Sequence, residues 1–388
     1  MDSLAAACPV PTDHKAQIIS PPALIGPSLH IKISKMEGEL RLRTTLKDIA
    51  NELNLSVNTV SRGLRNMQDI SPSTRQVIHE TAQRLGYQRN LAASQLRTNR
   101  SYVLGIAVPD YINPTMGKTI DGAEFVARMH GYTLMTGSTR ESPEIEDQAV
   151  SRLLEQGVDG LILVPTLLNP GLLKKIESTQ TPYVLAFRKY VGYPSNSICC
   201  DDRLSGQLAA QALYDHGHRS FLYVASTRAQ QISMERFNGF SQRLAELGIP
   251  PDQIHVIVSN GSRRDAQNAV SLWVEQFSPG QKFPATAIFA FSDYTAFGVY
   301  TALREKGVRI PEDISVMGCD NNEFANIIGP SMCTIDNHIL DISKGAAQML
   351  IDIIQSRGEA ADGGPQEVVL KPELVWRQSV ACIGPETP

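Results

Sequence analysis

From Tyr102 onwards, short runs rich in β-forming residues alternate with amphipathic stretches that are long enough for helices. This alternation is typical of βαβ units, in which helices cover both faces of a parallel sheet. The number of strand candidates favours two doubly wound sheets over one, so the predicted fold class is α/β. The strand candidates are Val103–Val108, Tyr132–Thr136, Gly160–Val164, Tyr183–Phe187, Phe221–Ala225, His255–Val258, Ala287–Phe291 and Ile314–Gly318.

The composition is that of a folded globular chain with two or three domains. Hydrophobic residues make up 42% of the 388 residues and charged residues 20%, which excludes a fibrous or wholly disordered protein. No apolar run approaches the length of a membrane span, and the first residues lack the basic segment of a signal peptide. The six cysteines show no CxxC pair and no zinc-type spacing. We therefore expect reduced thiols, no metal, no cofactor and a cytoplasmic protein.

Charge is divided unevenly along the chain. Residues 41–100 contain ten lysines or arginines and four acids, a net charge of +6, although the whole chain carries −4. A basic segment on an acidic body is the electrostatic footprint of a polyanion binder. An ordinary solvated helical surface gives the same excess, so nucleic acid becomes the leading partner only if a binding motif accompanies it.

The basic segment predicts three short helices. Thr45 is a helix-capping candidate with Asp48 three residues later, and apolar residues then fall on one face. Ser56 begins a second helix, and Ser71, followed by a proline, begins a third that ends at Gly86. The first two helices have the spacing of a helix-turn-helix, in which the second helix enters the major groove of DNA.

Residues 1–44 show no convincing periodicity, and five prolines fall within the first 27 positions. We therefore expect a disordered extension there. Met1 and Met36 are both candidate translation starts, because Met36 stands shortly before the first helix signal.

The most specific signal in the chain consists of four runs: TLKDIA from Thr45, LSVNTVSR from Leu55, SPSTR from Ser71 and LGYQRN from Leu85. They closely resemble the headpiece of the lactose repressor type (LacI/GalR) of bacterial transcription regulators, and the resemblance continues through essentially all of residues 45–380. It implies a helix-turn-helix headpiece over residues 45–89 and a hinge helix with linker over residues 90–100. It also implies a homodimer, with higher assembly left open, on a pseudo-palindromic double-stranded DNA operator.

On this resemblance, Val57 and Asn58 occupy the base-reading positions of the second helix, and Arg62 is a third contact with the groove or a phosphate. Asparagine can bond an adenine edge and valine can pack on a thymine methyl; the alternative for Val57 is a place in the core. Four further residues are expected to use hydroxyl or N–H groups on phosphates, which fixes register without reading sequence. They are Thr45, Ser56, Thr59 and Ser71.

Residues 90–97 resemble the hinge helix of the family. Eight residues make a marginal helix alone, so we expect this helix to form only when two chains pair over bent DNA. Leu96 falls on the position of the leucine that is pushed between two base steps in the minor groove, with Arg97 beside it. The alternative for Leu96 is ordinary helix packing.

The rest of the chain resembles the periplasmic-binding-protein-like sensor of the family, in which two α/β subdomains close on a small molecule. The resemblance implies a first subdomain of residues 101–200 and 338–363 and a second of residues 201–337 and 364–384. It is carried by VDGLIL from Val158, HGHR from His216, RFNGF from Arg236, SDYTAFG from Ser292 and GCDN from Gly318.

The same similarity implies a set of effector contacts in the cleft. An arginine fork with carboxylates at strand ends suits a polyhydroxyl ligand, because each carboxylate accepts two neighbouring O–H donors. We therefore expect a sugar or sugar derivative, while helix capping is the alternative for Asp293 and Asp320. The implied contacts are Arg236, Asp293, Asp320 and Asp201 from the second subdomain and Asp110, Tyr111 and Met116 from the first.

Two departures from the family pattern leave the effector unassigned. Ser292 stands where many relatives have asparagine. Pro114-Thr115-Met116 replaces the common Pro-Phe-Phe, so the aromatic stacking face expected at that lip of the cleft is missing.

The predicted function is a sequence-specific DNA-binding transcription regulator, most simply a repressor, whose operator affinity a small effector controls. A regulator controlled by a protein corepressor and a stand-alone solute-binding protein are the alternatives, although the basic head opposes the second. An enzyme is disfavoured because no GxGxxG, HExxH or GxSxG motif occurs.

Overall fold

The computed structural model describes residues 44–64, 66–87, 100–227, 230–278, 281–356 and 364–384. The chain divides into two compact units, with the division between Arg89 and Asn90. The predicted hinge segment, including Leu96 and Arg97, lies outside the described residues, as does the extension before Thr44.

The first unit contains the three predicted helices, and each begins at the predicted capping residue. The Asp48 carboxylate accepts the Thr45 N–H at 2.7 Å. The hydroxyls of Ser56 and Ser71 accept N–H groups three residues later, at 3.0 Å and 3.2 Å. The helices are α1 (Leu46–Leu53), α2 (Val57–Gly63) and α3 (Pro72–Arg84).

A small core holds these helices together. Its fully buried members are Ile49, Ala50, Val60, Ile78 and Ala82. A glycine at residue 63 allows α2 and α3 to approach closely, because a Cβ there would lie 2.5 Å from the Cδ1 atom of Ile78. So few buried side chains make the unit sensitive to the loss of any one of them.

The second unit contains twelve strands and nine α-helices within its described residues. No helix in the described ranges combines the length and the hydropathy needed to cross a bilayer. The strands are β1 (Val103–Val108), β2 (Thr133–Ser138), β3 (Gly160–Leu163), β4 (Tyr183–Ala186), β5 (Ser197–Cys200), β6 (Phe221–Ser226), β7 (Ile254–Ser259), β8 (Ala287–Ala290), β9 (Ser315–Cys319), β10 (Cys333–Asp336), β11 (Glu367–Leu370) and β12 (Glu373–Val375). The helices are α4 (Pro114–Met129), α5 (Pro143–Glu155), α6 (Gly171–Ser178), α7 (Asp202–Asp215), α8 (Gln230–Glu246), α9 (Arg263–Val274), α10 (Asp293–Glu305), α11 (Phe324–Ile327) and α12 (Ile339–Gln355).

The strands form two six-stranded sheets, which confirms the predicted α/β fold class with two doubly wound halves. The first sheet has the order β11-β5-β4-β3-β1-β2 and the second β12-β10-β9-β8-β6-β7. All neighbours are parallel except the antiparallel pair β10–β12. In such sheets ligands bind beyond the carboxyl ends of the strands, where the strand order reverses.

The chain passes between the two sheets three times. It crosses from β5 into the second half, returns after β10 through α12, whose Ile342, Leu350 and Ile354 pack in the core of the first sheet, and crosses again between β11 and β12.

The last crossing corrects the boundary expected from sequence. Residues 364–384 were expected to belong entirely to the second subdomain, but Glu367–Leu370 pairs in parallel with Ser197–Cys200 at the edge of the first sheet. The pairing depends on backbone hydrogen bonds to a strand far away in the sequence, which no local pattern records.

Candidate DNA-contacting face and effector cleft

The first turn of α2 presents consecutive side chains to solvent. Val60 is buried and anchors this helix to the small core, which leaves Ser56, Val57 and Asn58 exposed. Val57 exposes 45% of its surface. It is therefore not a core residue, and an apolar side chain beside an exposed asparagine suits the edge of a base pair.

The remaining predicted contacts surround this turn. Arg62 lies on α2 with its Nη2 atom 2.5 Å from Asp69 Oδ2, and both side chains are well exposed. An exposed ion pair contributes little free energy, so Arg62 can exchange Asp69 for a phosphate. Thr45, Ser56 and Ser71 are exposed at the starts of α1, α2 and α3, while Thr59 is half-buried.

The second unit contains an open cleft lined by residues of both sheets. Its walls follow the carboxyl ends of strands in both sheets, as doubly wound folds predict. Four of the sequence-predicted effector residues line it together: Asp110, Met116, Arg236 and Asp320.

Arg236 holds the wall formed by the second sheet. Its Nε donates to Asp202 Oδ1 at 2.9 Å and its Nη2 to Asp320 Oδ1 at 3.1 Å. Its Nη1 donates to the Phe291 carbonyl oxygen, and Asn337 Nδ2 also donates to Asp320, at 3.0 Å. Only 5% of Arg236 is exposed, so the guanidinium is a fixed part of the wall.

Burial opposes the charges of the two acids beside this guanidinium. It raises the pKa of Asp202 to about 6, against the lowering effect of Arg236. Burial likewise raises the pKa of Asp320, and Arg236 again acts in the opposite direction. Two desolvated carboxylates therefore share one guanidinium.

Asp293 and Asp201 do not belong to the cleft lining as the structure has it. Asp293 is fully buried, and its carboxylate accepts the Asn322 N–H and the Thr334 O–H, both at 2.7 Å. Asp201 begins α7, where its carboxylate accepts the Leu204 N–H at 2.9 Å. The geometry places Asp293 in a structural network and gives Asp201 a capping role.

The predicted residues of the first subdomain differ in position. Asp110 Oδ1 accepts the N–H groups of Ile112 and Asn113, at 2.7 Å and 2.8 Å, and fixes the loop after β1. Met116 is nearly buried in the cleft wall. Tyr111 is half-exposed outside the lining, and its hydroxyl donates to Thr136 at 3.3 Å.

The cleft also contains an ion pair that sequence reasoning missed. Arg188, two residues after the end of β4, donates from Nη1 and Nη2 to the two carboxylate oxygens of Glu141, at 2.9 Å and 2.6 Å. No described residue accepts a hydrogen bond from Arg188 Nε or engages the hydroxyl of Thr115, although both residues are more than nine-tenths buried in the lining. Buried polar atoms of proteins usually have a hydrogen-bond partner, so these two stand out among the described residues of the cleft.

The aromatic face missing at Thr115 and Met116 has counterparts elsewhere in the cleft. Phe187, Phe291 and Tyr294 all line it. Phe187 and Asp320 have positive φ angles of 66° and 115°, a conformation that non-glycine residues rarely adopt. Phe187, Phe291 and Asp320 each stand immediately after a strand, namely β4, β8 and β9. This position at a strand end is the sequence signal by which they are recognisable as cleft residues.

Family models match both units. The model of "Bacterial regulatory proteins, lacI family" matches residues 45–90, and that of "Periplasmic binding protein-like domain" matches residues 210–380. Among curated relatives, the HTH-type transcriptional regulator DegA of Bacillus subtilis (strain 168) is 28% identical over 343 residues, which are 88% of this chain and 99% of DegA.

Solved structures agree with the observed architecture. A LacI family transcriptional regulator from Enterococcus faecium with bound ribose has a TM-score of 0.64 and 25% identity, over 73% of this chain and 100% of that one. The lac repressor dimer bound to operator and the anti-inducer ONPF has a TM-score of 0.75 and 24% identity, over 88% of this chain and 100% of that one, a likeness of fold.

Proposed function

Because the chain belongs to the LacI/GalR family of transcription regulators, we propose that it represses transcription as a homodimer and that a sugar or sugar derivative is its effector. DNA-binding regulation under effector control is the function of the family. The proposal concerns the operator contacts, the effector class and the sign of regulation.

The observation that carries the effector assignment is the cleft between the two sheets. It combines buried guanidiniums, carboxylates and aromatic side chains, the mixture that suits hydroxyl groups and sugar ring faces. The Enterococcus faecium relative with bound ribose supports the same class of ligand. Asp110, Met116, Arg236 and Asp320 remain the proposed contacts, and Arg188 and Thr115 join them.

Effector control follows from linkage. Three crossings connect the halves of the cleft, so a ligand that contacts both favours one closure geometry. If that geometry disfavours pairing of the segments at residues 90–97, operator affinity falls by the ligand's differential affinity for the two states.

The effector is tested by thermal unfolding of the full chain with sugars, polyols, sugar acids and nucleosides, with and without selected operator DNA. We expect a sugar to raise the unfolding temperature and to change operator affinity. Stabilisation by nucleosides alone, or by none of these compounds, contradicts the sugar assignment.

The operator contacts are tested by salt dependence. Phosphate contacts by cationic side chains, Arg62 among them, imply that log affinity falls linearly with log salt, with a slope of about −0.9 per phosphate neutralised, whereas the uncharged contacts of Thr45, Ser56, Thr59 and Ser71 add nothing to the slope. A salt-independent affinity contradicts the proposed DNA-contacting face.

Leu96→Ser is expected to weaken operator binding while effector binding persists, because an inserted wedge is lost. Unchanged affinity removes Leu96, and with it Arg97, from the proposed hinge contact.

A stand-alone solute-binding protein is the second candidate, and equal affinity for selected and random DNA is the result that favours it. We propose that the chain carries out no catalytic step and acts in the cytoplasm, where the chromosome lies.

A further inference from the structure

We infer that Glu141 makes the cleft selective for uncharged ligands, because it occupies the guanidinium of Arg188 that an anionic ligand needs. The inference rests on the proposed function, since it concerns the effector that binds in this cleft. Glu141 is thus a specificity-determining residue for the chemical class of the effector.

The first observation is the completeness of the ion pair. Both terminal nitrogens of Arg188 donate to Glu141 in the parallel, bidentate arrangement, and Nη1 also donates to the Pro165 carbonyl oxygen at 3.0 Å. The side chains are only 7% and 10% exposed. A buried bidentate pair is strong and specific, so an incoming phosphate or carboxylate must displace Glu141 to reach the charge.

The second observation is the backbone conformation that directs the Glu141 side chain towards Arg188. Arg140 and Glu141 have φ angles of 53° and 54°, so two consecutive non-glycine residues adopt the left-handed conformation directly after Thr139. Single left-handed residues are uncommon outside glycine. This turn directs the carboxylate towards Arg188, which lies 47 positions further along the chain.

The third observation is the balance of charges over the whole cleft lining. Among the described residues that line the cleft, the cations are Arg188 and Arg236. Arg236 is bonded to both Asp202 and Asp320, and Asp110 adds another carboxylate to the lining. Carboxylates therefore outnumber guanidiniums, which repels anions and offers acceptors to hydroxyl donors.

The fourth observation concerns the third guanidinium nitrogen of Arg188, Nε. This atom is buried and has no acceptor among the described residues, and Arg188 is one of the residues that line the cleft. A single neutral acceptor, such as a sugar hydroxyl or ring oxygen, satisfies this donor without disturbing the pair with Glu141. In this site Arg188 thus offers a single hydrogen bond to a neutral group. An arginine without a carboxylate partner would instead bind an anion through two parallel hydrogen bonds.

The test compares the full chain with Glu141→Gln, which keeps the size of the side chain and removes its charge. The probe is inorganic phosphate, titrated at constant ionic strength while thermal unfolding is followed. We expect saturable stabilisation of the variant, with a dissociation constant at least about 10-fold lower than that of the original chain. Equal responses of the two proteins, or tight phosphate binding by the original chain, overturn the inference.

Glu124→Gln is the matched control. Glu124 pairs with Arg128 on the exposed surface of α4, so its neutralisation also frees an arginine but outside the cleft. It is expected to leave phosphate binding as in the original chain. A gain in phosphate affinity equal to that of Glu141→Gln overturns the inference, because the effect then comes from the change in net charge and not from the cleft.

A second measurement needs no variant and applies even if Glu141→Gln does not fold. Calorimetry on the original chain compares ribose with ribose 5-phosphate and glucose with glucose 6-phosphate. We expect any neutral sugar that binds to bind at least about 10-fold more tightly than its phosphorylated partner; the reverse order overturns the inference. If neither form of any sugar binds while operator binding persists, the proposed effector class fails, and the phosphate comparison still decides the role of Glu141.

Discussion

The helical unit and the α/β unit place their binding side chains in opposite ways. In the helical unit the proposed DNA contacts, such as Val57 and Asn58, stand exposed on one short helix and take no part in the core. In the α/β unit the proposed effector contacts, such as Arg188 and Arg236, are buried and bonded to neighbouring loops and strand ends. Function is therefore separable from stability in the first unit and coupled to it in the second.

Arg236→Ala is expected to have the largest effect, because it removes the partner of both Asp202 and Asp320. Breaking a buried pair costs about 3–5 kcal/mol in the free energy of unfolding, and the response to effector is lost with it. Urea unfolding measures the change. Arg309→Ala, which breaks an exposed pair with Asp313, is the control and should cost far less, because exposed ion pairs contribute little to stability. Similar values for both variants contradict the coupling of site and stability.

Ile78→Ala tests the small core of the helical unit. Ile78 is fully buried among Ile49, Val60 and Ala82, and its truncation should cost about 2–5 kcal/mol. Operator binding is expected to disappear while effector stabilisation of the α/β unit persists. Val77→Ala, at an exposed neighbour on α3, should leave operator binding intact. Loss of effector binding in Ile78→Ala contradicts the independence of the units.

Asn58→Ala is expected to reduce operator discrimination without changing stability. The lost contact with a base edge is worth about 1–3 kcal/mol on selected DNA, whereas the free energy of unfolding should stay within about 0.5 kcal/mol. Competition of selected against random DNA measures the difference. Asn51→Ala, an exposed asparagine on α1, is the control, and equal losses in both variants remove Asn58 from base reading.

The last expected effect is gradual and concerns pH. Burial, helped by the charge of Asp320, raises the pKa of Asp293 to about 7. The folded chain then holds a proton that the unfolded chain releases above about pH 4, so stability falls as pH rises from 4 to 7, by up to about 1.4 kcal/mol per pH unit. Asp293→Asn should reduce this slope in denaturant unfolding between pH 5 and 8, and the part that remains is the contribution of Asp202 and Asp320, whose pKa values burial also raises. The exposed Asp252→Asn should not, and an unchanged slope in Asp293→Asn contradicts the assignment.

The contrast between the helical unit and the α/β unit also explains how much of the structure could be predicted from the sequence. The headpiece helices depend on local signals, and Thr45, Ser56 and Ser71 lie at the starts of their helices as expected. The resemblance to the LacI/GalR family identified Arg236 and Asp320 as residues of the cleft. The pair of Arg188 and Glu141 was not, because two loops bring its members together and neither loop alone indicates the contact.

Four strands also escaped prediction. They are Ser197–Cys200, Cys333–Asp336, Glu367–Leu370 and Glu373–Val375. Each has at most four residues and includes polar or acidic side chains, so neither alternation nor a long apolar run marks it. Their strand character comes from pairing with distant partners, as in the ladder between β11 and β5.

The three crossings between the sheets also govern the order in which the protein can be completed during synthesis. The first sheet lacks its outer strand, β11, until the ribosome has made the whole of the second sheet up to β10. Until then the free backbone groups of β5 form an open edge that another nascent chain can pair with. All the residues that line the cleft precede β11 in the chain, so the edge of the first sheet gains its protection from misassembly only after the residues of the ligand site have been made.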